Sequence, residues 1–240
     1  MTSAFITKPD AILFDIDGTL IVGSNSHFAS LEYALKEVAN VTLKWKRNGD
    51  RLYLNDNEIT GWVDSQLWNA AAAYEGIILT PGQFELISYV AAEHYKSTNS
   101  ANPDYFGTHA PGVTNLLNRL SEMNIPYTLS TGNVQPTAQA KLEKVNLSHY
   151  FHTTLNGGYG NQDNRNQVAL HAAKSIFQTE DLSTKNIWLV GDTIADMTAA
   201  ITNNLTPVGV SYGAAGSEKL AANGAAKILT SLEELIPYLS

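Results

Sequence analysis

The chain has 240 residues, enough for one large domain or for a core with a smaller inserted module, and it can bury a core without crosslinks. Its 23 acidic and 15 basic residues give a formal net charge of −8, which argues against a nucleic acid partner because binding a phosphate backbone needs a basic surface. The absence of cysteine excludes disulfides, thiolate metal sites and cysteine nucleophiles, so any metal must bind through oxygen or imidazole.

The apolar runs are too short for a membrane protein. No stretch approaches the roughly 18 uninterrupted apolar residues of a membrane span. The first run, Ala11–Phe14, is cut by Asp15, which argues against a secretory signal. We therefore expect no membrane association and a cytoplasmic protein. The sequence does not indicate an oligomeric state.

Short apolar runs typical of strands buried on both faces recur along the chain. They are Ala11–Phe14, Pro126–Ser130, Ile187–Val190 and Pro207–Val210. Between and after these runs, apolar residues at steps of three and four predict helices. Strands that alternate with helices predict an α/β fold with a Rossmann-like parallel sheet.

The alternation fails between residues 21 and 108. There the pattern predicts helices near residues 28–39, 61–74 and 81–95, with an irregular or hairpin stretch between the first two. We interpret residues 21–108 as an inserted, mainly α-helical module. Residues 1–20 and 109–240 then form the core that carries the sheet.

Four acidic residues come directly after two of the predicted strands. Asp15 and Asp17 follow the first strand, and Asp192 and Asp196 follow Ile187–Val190. Loops at the carboxyl ends of parallel strands form the ligand crevice of such sheets, so we expect the four carboxylates to lie together. Four like charges in a dry crevice need either raised pKa values or a divalent cation, and an oxygen-only set suits Mg²⁺. The alternative for Asp17 is an ordinary Asp-Gly turn.

Another predicted strand is followed by a segment suited to bind phosphate. Thr131, Gly132 and Asn133 lie between this strand and a helical stretch over residues 134–145. The hydroxyl of Thr131 and the N–H groups after it would then point out of a helix N-terminus, where anions bind. The alternative is a plain N-cap, in which Thr131 or Asn133 only caps the helix.

A phosphate site also needs a positive side chain. Lys141 lies ten residues beyond Thr131, about 15 Å along a helix at 1.5 Å per residue, and Lys174 lies similarly far from its loop, so we expect neither at the site. Arg165 opens a predicted helix after a glycine-rich loop, where its guanidinium can pair with phosphate oxygens. The alternative for Arg165 is a solvated residue, although a cation at a helix N-terminus opposes the macrodipole.

Together these segments resemble the haloacid dehalogenase superfamily, and within it the phosphoglycolate-phosphatase-like hydrolases. The run Asp15-Ile16-Asp17-Gly18-Thr19-Leu20 is similar to the first motif of the family, Thr131 in Thr131-Gly132-Asn133 to the second, and Gly191-Asp192-Thr193-Ile194-Ala195-Asp196 to the fourth. Arg165 stands where the third motif usually has a lysine. The inserted module corresponds by position to the helical cap of the family, and its segment Thr60–Asp64 loosely resembles a cap motif of these phosphatases.

The resemblance implies a Mg²⁺-dependent phosphatase that hydrolyses a small phosphorylated metabolite through an aspartyl-phosphate. Asp15 would be the nucleophile and Asp17 the general acid and base. Mg²⁺ would be held by Asp15, the carbonyl of Asp17 and Asp192, while Asp196 would be a further ligand or would orient the waters of the metal or Arg165. Thr131 and Arg165 would be catalytic by stabilising the phosphoryl group. Substrate binding would fall to Thr131, Gly132, Asn133 and Arg165.

Three other functions stay open on the same fold. A phosphomutase would use Asp17 similarly but would exclude water while its intermediate reorients. A haloacid dehalogenase needs no leaving-group proton, so the presence of Asp17 argues against it. The third alternative is a non-catalytic ligand-binding protein. The sequence names neither the substrate nor the cap residues that contact it.

Overall fold

A computed structural model describes residues 6–24, 26–49, 51–100, 105–151 and 157–240. Within these residues the strands are β1 (Ala11–Phe14), β2 (Ile21–Val22), β3 (Trp45–Asn48), β4 (Arg51–Leu54), β5 (Asn57–Glu58), β6 (Thr108–His109), β7 (Tyr127–Leu129), β8 (Ile187–Gly191), β9 (Thr206–Val210) and β10 (Lys227–Leu229). The helices are α1 (His27–Ala39), α2 (Asp64–Tyr74), α3 (Pro81–Ser97), α4 (Val113–Glu122), α5 (Gln135–Lys144), α6 (Arg165–Phe177), α7 (Ile194–Thr202) and α8 (Gly216–Ala222). Two 3₁₀ helices cover Ser148–Phe151 and Leu232–Tyr238.

The core is a five-stranded parallel sheet in the order β10-β9-β8-β1-β7. All four residues of β1 are buried, as expected for a strand covered by helices on both faces. The predicted α/β class with a Rossmann-like parallel sheet is confirmed. Because β1 lies between β7 and β8, the segments that follow these three strands meet at one edge of the sheet.

The inserted segment contains α1, α2 and α3 and a three-stranded antiparallel sheet, β3-β4-β5. Its helices match the predicted ones closely. The predicted start of α2 at residue 61 is three residues too early, because Gly61 has a φ of +81°, which is incompatible with an α-helix. The segment has its own hydrophobic cluster, in which Trp68 is fully buried.

A short ribbon connects the inserted segment to the sheet. Ile21 and Val22 of β2 pair antiparallel with His109 and Thr108 of β6, so the chain leaves and returns side by side. We propose that this ribbon is the junction between a cap, residues 21–108, and a catalytic core, residues 1–20 and 109–240. No helix among the described residues has the length and hydropathy of a membrane span.

Candidate active site

Asp15 lies at the carboxyl end of β1, between β8 and β7 in the sheet. Its N–H donates to the carbonyl of Val190 in β8 (3.0 Å), which extends the parallel ladder by one step. The side chain is buried, with 7% of the residue exposed. Burial raises the pKa of Asp15 from its ordinary 3.8 to about 6, opposed by the positive charge of Arg165 and reinforced by Asp196.

The turn after Asp15 brings the first and fourth motifs into contact. Gly18 has a φ of +78°, and its N–H donates to the carbonyl of Ile21 (2.7 Å). A Cβ atom at Gly18 would lie 2.1 Å from Oδ2 of Asp192, so only glycine lets the two loops approach this closely.

Asp15, Asp192 and Asp196 form a buried carboxylate cluster. One oxygen from each lies within 4.8 Å of the others. Oδ2 of Asp192 accepts from the N–H of Ala214 (2.6 Å), while its buried Oδ1 has no hydrogen-bond partner among the described residues. Burial and then the charge of Asp15 raise the pKa of Asp192 well above its ordinary value. An orphaned carboxylate oxygen beside a second carboxylate fits a hard divalent cation such as Mg²⁺.

Arg165 reaches the cluster from the first residue of α6. Its Nη2 lies 2.9 Å from Oδ1 of Asp15 and 2.5 Å from Oδ1 of Asp196, and its Nε donates to the same Asp196 oxygen (2.8 Å). Its Nη1 is buried without a partner in the described part of the chain. The structure thus places Arg165 beside Asp15 and Asp196, with one guanidinium nitrogen that has no protein partner among the described residues.

Asp196 is fully buried and both of its carboxylate oxygens are engaged. Oδ1 accepts from Arg165, and Oδ2 accepts from the N–H (3.0 Å) and the hydroxyl (2.7 Å) of Thr193 at the start of α7. These bonds fix the carboxylate in a direction that orients Arg165. Of the two roles expected for Asp196, the contacts favour this orienting role over direct metal ligation.

The loop with Thr131, Gly132 and Asn133 follows β7, beside Asp17. Most of its donors are already used: the N–H of Thr131 donates to Gly158 (3.0 Å), and the N–H of Asn133 donates to the hydroxyl of Thr131 (3.3 Å). The N–H of Gly132 has no acceptor among the described residues. The helix N-terminus thus offers fewer free N–H groups than the sequence suggested.

Lys141 lies at the site, and our expectation that it would be too distant is wrong. Its Nζ is 2.8 Å and 2.6 Å from the two carboxylate oxygens of Asp17 and donates to Oδ1 of Asn133 (2.6 Å). The prediction counted the distance along the helix from Thr131. The helix α5 begins only at Gln135, so Lys141 lies about 9 Å from the start of the helix. Helical side chains also point back toward the N-terminus, which brings the ammonium to Asp17. Lys174, excluded by the same reasoning, pairs with Glu180 (2.6 Å).

Asp17 does not point its carboxylate into the cluster of the other three acids. The Asp17 carboxylate instead accepts hydrogen bonds from two side chains. Nδ2 of Asn133 donates to its Oδ2 (2.7 Å), and the fully buried Lys141 donates to both of its oxygens. Burial alone would raise the pKa of Asp17, but the charge of Lys141, then that of His27, and the hydrogen bonds lower it to about 2. Asp17 is therefore ionised in the protein without substrate.

A cavity of about 580 Å³ lies above these residues. Its floor includes Asp15, Asp17, Asp192, Gly132 and Arg165. Its wall consists of side chains from the inserted segment, among them His27, Trp45, Arg47, Leu52, Thr60 and Trp62. The volume suits a small organic molecule with its reactive group on the floor.

Hydrogen bonds attach the cap to the loops around the cavity. The N–H of Asp64 donates to Gly132 (2.8 Å), and its Oδ2 accepts from the N–H of Val134 (2.8 Å). Ser65 donates from its N–H to Gly160 (2.9 Å) and from its hydroxyl to Gln162 (2.7 Å). Oδ1 of Asp64 lies 3.2 Å from Nε2 of His27. A carboxylate of the cap therefore contacts the backbone directly before α5, the helix that carries Lys141. Nothing in the sequence pattern singled out this role of Asp64.

Comparisons with known proteins agree with the motifs. A family model described as a haloacid dehalogenase-like hydrolase matches residues 9–203. A phosphoglycolate phosphatase of Photorhabdus laumondii is 24% identical, over 98% of this chain and 94% of its own length. A second phosphoglycolate phosphatase, from Pseudomonas syringae pv. tomato, is 22% identical over 95% of this chain and 79% of its own length.

The fold is shared with a hydrolase from Pseudomonas syringae of known structure, with a TM-score of 0.63 and 21% identity over 95% of this chain and 97% of that one. The family model spans most of the chain, and Asp15, Asp17, Arg165 and Asp192 line one cavity. The resemblance inferred from the sequence is confirmed: this chain belongs to the haloacid dehalogenase-like hydrolases.

Proposed function

We propose that the protein is a Mg²⁺-dependent phosphatase that hydrolyses a small phosphomonoester through an aspartyl-phosphate on Asp15. The observation that carries this proposal is the position of Asp15 on the cavity floor, 2.9 Å from the guanidinium of Arg165 and with a carboxylate oxygen within 4.8 Å of one from Asp192. A buried carboxylate with positive charge on one side and a cation site on the other can approach a phosphate dianion. The names of the phosphoglycolate phosphatase relatives support the same reaction class.

In the first half-reaction, a carboxylate oxygen of Asp15 forms a bond to phosphorus while the bond to the leaving oxygen breaks. The leaving alkoxide takes a proton from Asp17, which gives the free alcohol and the aspartyl-phosphate. In the second half-reaction, Asp17 removes a proton from a water molecule, whose oxygen attacks phosphorus and releases inorganic phosphate and Asp15. The phosphate dianion beside Asp17 raises the pKa of this carboxyl group, which supplies the protonated form that the first step needs.

The residues that would hold Mg²⁺ are Asp15, the carbonyl of Asp17 and Asp192. When bound, the metal supplies positive charge that reduces repulsion between the nucleophile and the phosphate dianion. Arg165 is oriented by Asp196 and offers its unpartnered Nη1 to one phosphate oxygen. Thr131 and the N–H of Gly132 stabilise the remaining phosphate oxygens. Asn133 is turned toward Asp17, so we assign it to positioning that carboxylate.

We also assign a positioning role to Lys141. The Asp17 carboxylate is a third exposed, whereas Lys141 is fully buried, so the lysine is the fixed partner of the pair. Together with Asn133 it holds the carboxylate of Asp17 apart from the cluster of Asp15, Asp192 and Asp196. Asp17 would then transfer protons while Asp15 and Asp192 hold the cation.

The experiment that tests this function compares wild type with Asp15→Asn on a panel of phosphorylated metabolites, with and without Mg²⁺. We expect the wild type to release inorganic phosphate only with Mg²⁺, and Asp15→Asn to lose turnover while its circular dichroism spectrum stays unchanged. Phosphate release by Asp15→Asn at the wild-type rate would overturn the assignment. Isomerised sugar phosphate without inorganic phosphate would favour a phosphomutase instead.

A further inference from the structure

The cavity wall opposite the catalytic floor carries one arginine from the cap. Arg47 lies in the middle of β3, the first strand of the antiparallel sheet inserted between α1 and α2. It lines the same 580 Å³ cavity as Asp15 and Arg165. The mechanism proposed above gives this residue no task.

Successive side chains of a β-strand point to opposite faces of the sheet, so Arg47 and Lys46 lie on different faces. Arg47 pairs with Leu52 across the ladder to β4, and Leu52 and Trp45 also line the cavity. Lys46, on the opposite face, lies 3.2 Å from Asp56 and does not line the cavity. The register of this short sheet therefore places Arg47 at the cavity and Lys46 on the opposite face of the strand.

The charges in the cavity explain why this cation matters. On the floor, Arg165 is neutralised by Asp15 and Asp196, and in the wall His27 faces Asp64. Arg47 forms no ion pair with any carboxylate in the part of the chain that the structure describes. An arginine without a carboxylate partner in a ligand cavity is available for an anion of the ligand.

We propose that Arg47 binds a second anionic group, carried by the leaving alcohol of the substrate. The substrate class is then a phosphomonoester whose alcohol bears a carboxylate or a second phosphate. The inference rests on the proposed phosphatase function and adds to it the chemistry of the leaving group. The residues of the cavity floor, Asp15, Asp192 and Arg165, would hold the phosphate, and the guanidinium of Arg47 would bind the other anion from the cap.

Matched substrate pairs test this subsite, because each pair differs only in the distant anion. For a carboxylate, the pairs are 2-phosphoglycolate with 2-hydroxyethyl phosphate and 3-phosphoglycerate with glycerol 3-phosphate. For a second phosphate, the pair is fructose 1,6-bisphosphate with fructose 1-phosphate. In each pair, the first compound carries the second anion and is called the charged member, and the other compound is called the uncharged member. The measured quantity is kcat/KM of the charged member divided by kcat/KM of the uncharged member, for wild type and for Arg47→Gln.

We expect the wild type to prefer the charged member of at least one pair, and Arg47→Gln to reduce that ratio about ten- to a hundredfold, as for a hydrogen bond to a charged group. Activity on the member without the second anion should fall by a smaller factor than activity on its partner. Arg47→Lys should recover part of the preference. Lys46→Gln, one residue away on the other face, should leave the ratio as in the wild type. The pair that responds identifies whether the anion is a carboxylate or a phosphate.

Two results would overturn the subsite: a wild type that does not prefer any charged member, or an Arg47→Gln variant that keeps the full preference. Both presuppose phosphate release from the uncharged substrates. Absence of phosphate release from all substrates would instead contradict the phosphatase function itself, so the two failures are distinguishable.

Discussion

At the residue scale, Asp17 differs from the other three acids of the site because its carboxylate is paired with a lysine and an amide. Lys141 and Asn133 hold its carboxylate by three contacts of 2.6–2.8 Å to the lysine and the amide, and the pKa falls to about 2. The sequence identified Asp17 but not its partner, because the distance from Lys141 was counted along the helix axis and the backward reach of a long side chain was left out. Buried lysines give no pattern in sequence that distinguishes them from exposed ones.

Replacing Lys141 by methionine should impair proton transfer more than phosphoryl transfer. Methionine keeps the volume but leaves the Asp17 carboxylate without its charged partner. We expect kcat to fall about a hundredfold on an alkyl phosphate, whose leaving group needs a proton. On p-nitrophenyl phosphate, whose leaving group needs no proton, we expect kcat to fall about tenfold or less. Steady-state kinetics on the two substrates measure the difference.

Lys174→Met is the matched control, because that lysine lies on α6, the next α-helix along the chain, and pairs with Glu180. It should leave both substrates unaffected. An equal loss on the alkyl and the aryl phosphate in Lys141→Met would show that the lysine supports the fold and not Asp17.

At the element scale, the sequence predicted the strands and helices that place the motifs, because continuous apolar runs and three- and four-residue periodicity identify them directly. It did not resolve the sheet β3-β4-β5, whose exposed residues alternate weakly, and it gave no indication of how the cap contacts the core. The cap contacts depend on backbone groups of Gly132 and Gly160 and on a close approach at Gly61. Such contacts arise from the tertiary arrangement and leave no periodic signal.

Gly61→Ala should prevent the cap from seating on the core. A Cβ atom at Gly61 would lie 2.5 Å from Cβ of Ala195, at the start of α7, and the φ of +81° adds local strain. We expect KM to rise about tenfold and amide exchange to accelerate in α2, with the sheet of the core unchanged. Hydrogen exchange and kinetics measure both effects.

The double variant Gly61→Ala/Ala195→Gly separates the clash from the strain. If the clash dominates, removal of the Ala195 methyl group restores most of the KM, although the φ is still unfavourable. Identical kinetics in the single and the double variant would mean that backbone strain, and not contact with α7, causes the defect.

At the scale of the whole molecule, the carboxylate cluster makes the metal-free fold less stable as pH rises. The pKa of Asp15 is raised from 3.8 to about 6 and that of Asp192 is also raised, so between these pH values the folded state binds more protons than the unfolded state. Stability therefore falls as pH rises through this window, and the proposed Mg²⁺ would offset the loss by binding the ionised cluster.

Asp192→Asn should show this dependence without metal. We expect the variant to melt a few degrees above the wild type at pH 7 in EDTA, and to lose that advantage at pH 4, since about 1 kcal/mol shifts Tm by roughly 2–4 °C in a chain of this size. Mg²⁺ should raise the Tm of the wild type at pH 7 and not that of Asp192→Asn. A wild type that remains the more stable protein at pH 7 in EDTA would contradict the proposed cost of the ionised cluster.

The most direct test is the identification of the phosphorylated residue during turnover. Wild type mixed with a substrate that it hydrolyses, quenched in acid within milliseconds and digested, should yield one phosphopeptide, sensitive to hydroxylamine, with the phosphate on Asp15. Asp15→Asn should yield none. Phosphate on any other side chain, or rapid turnover without a phosphorylated enzyme under conditions that trap acyl phosphates, would contradict the central claim.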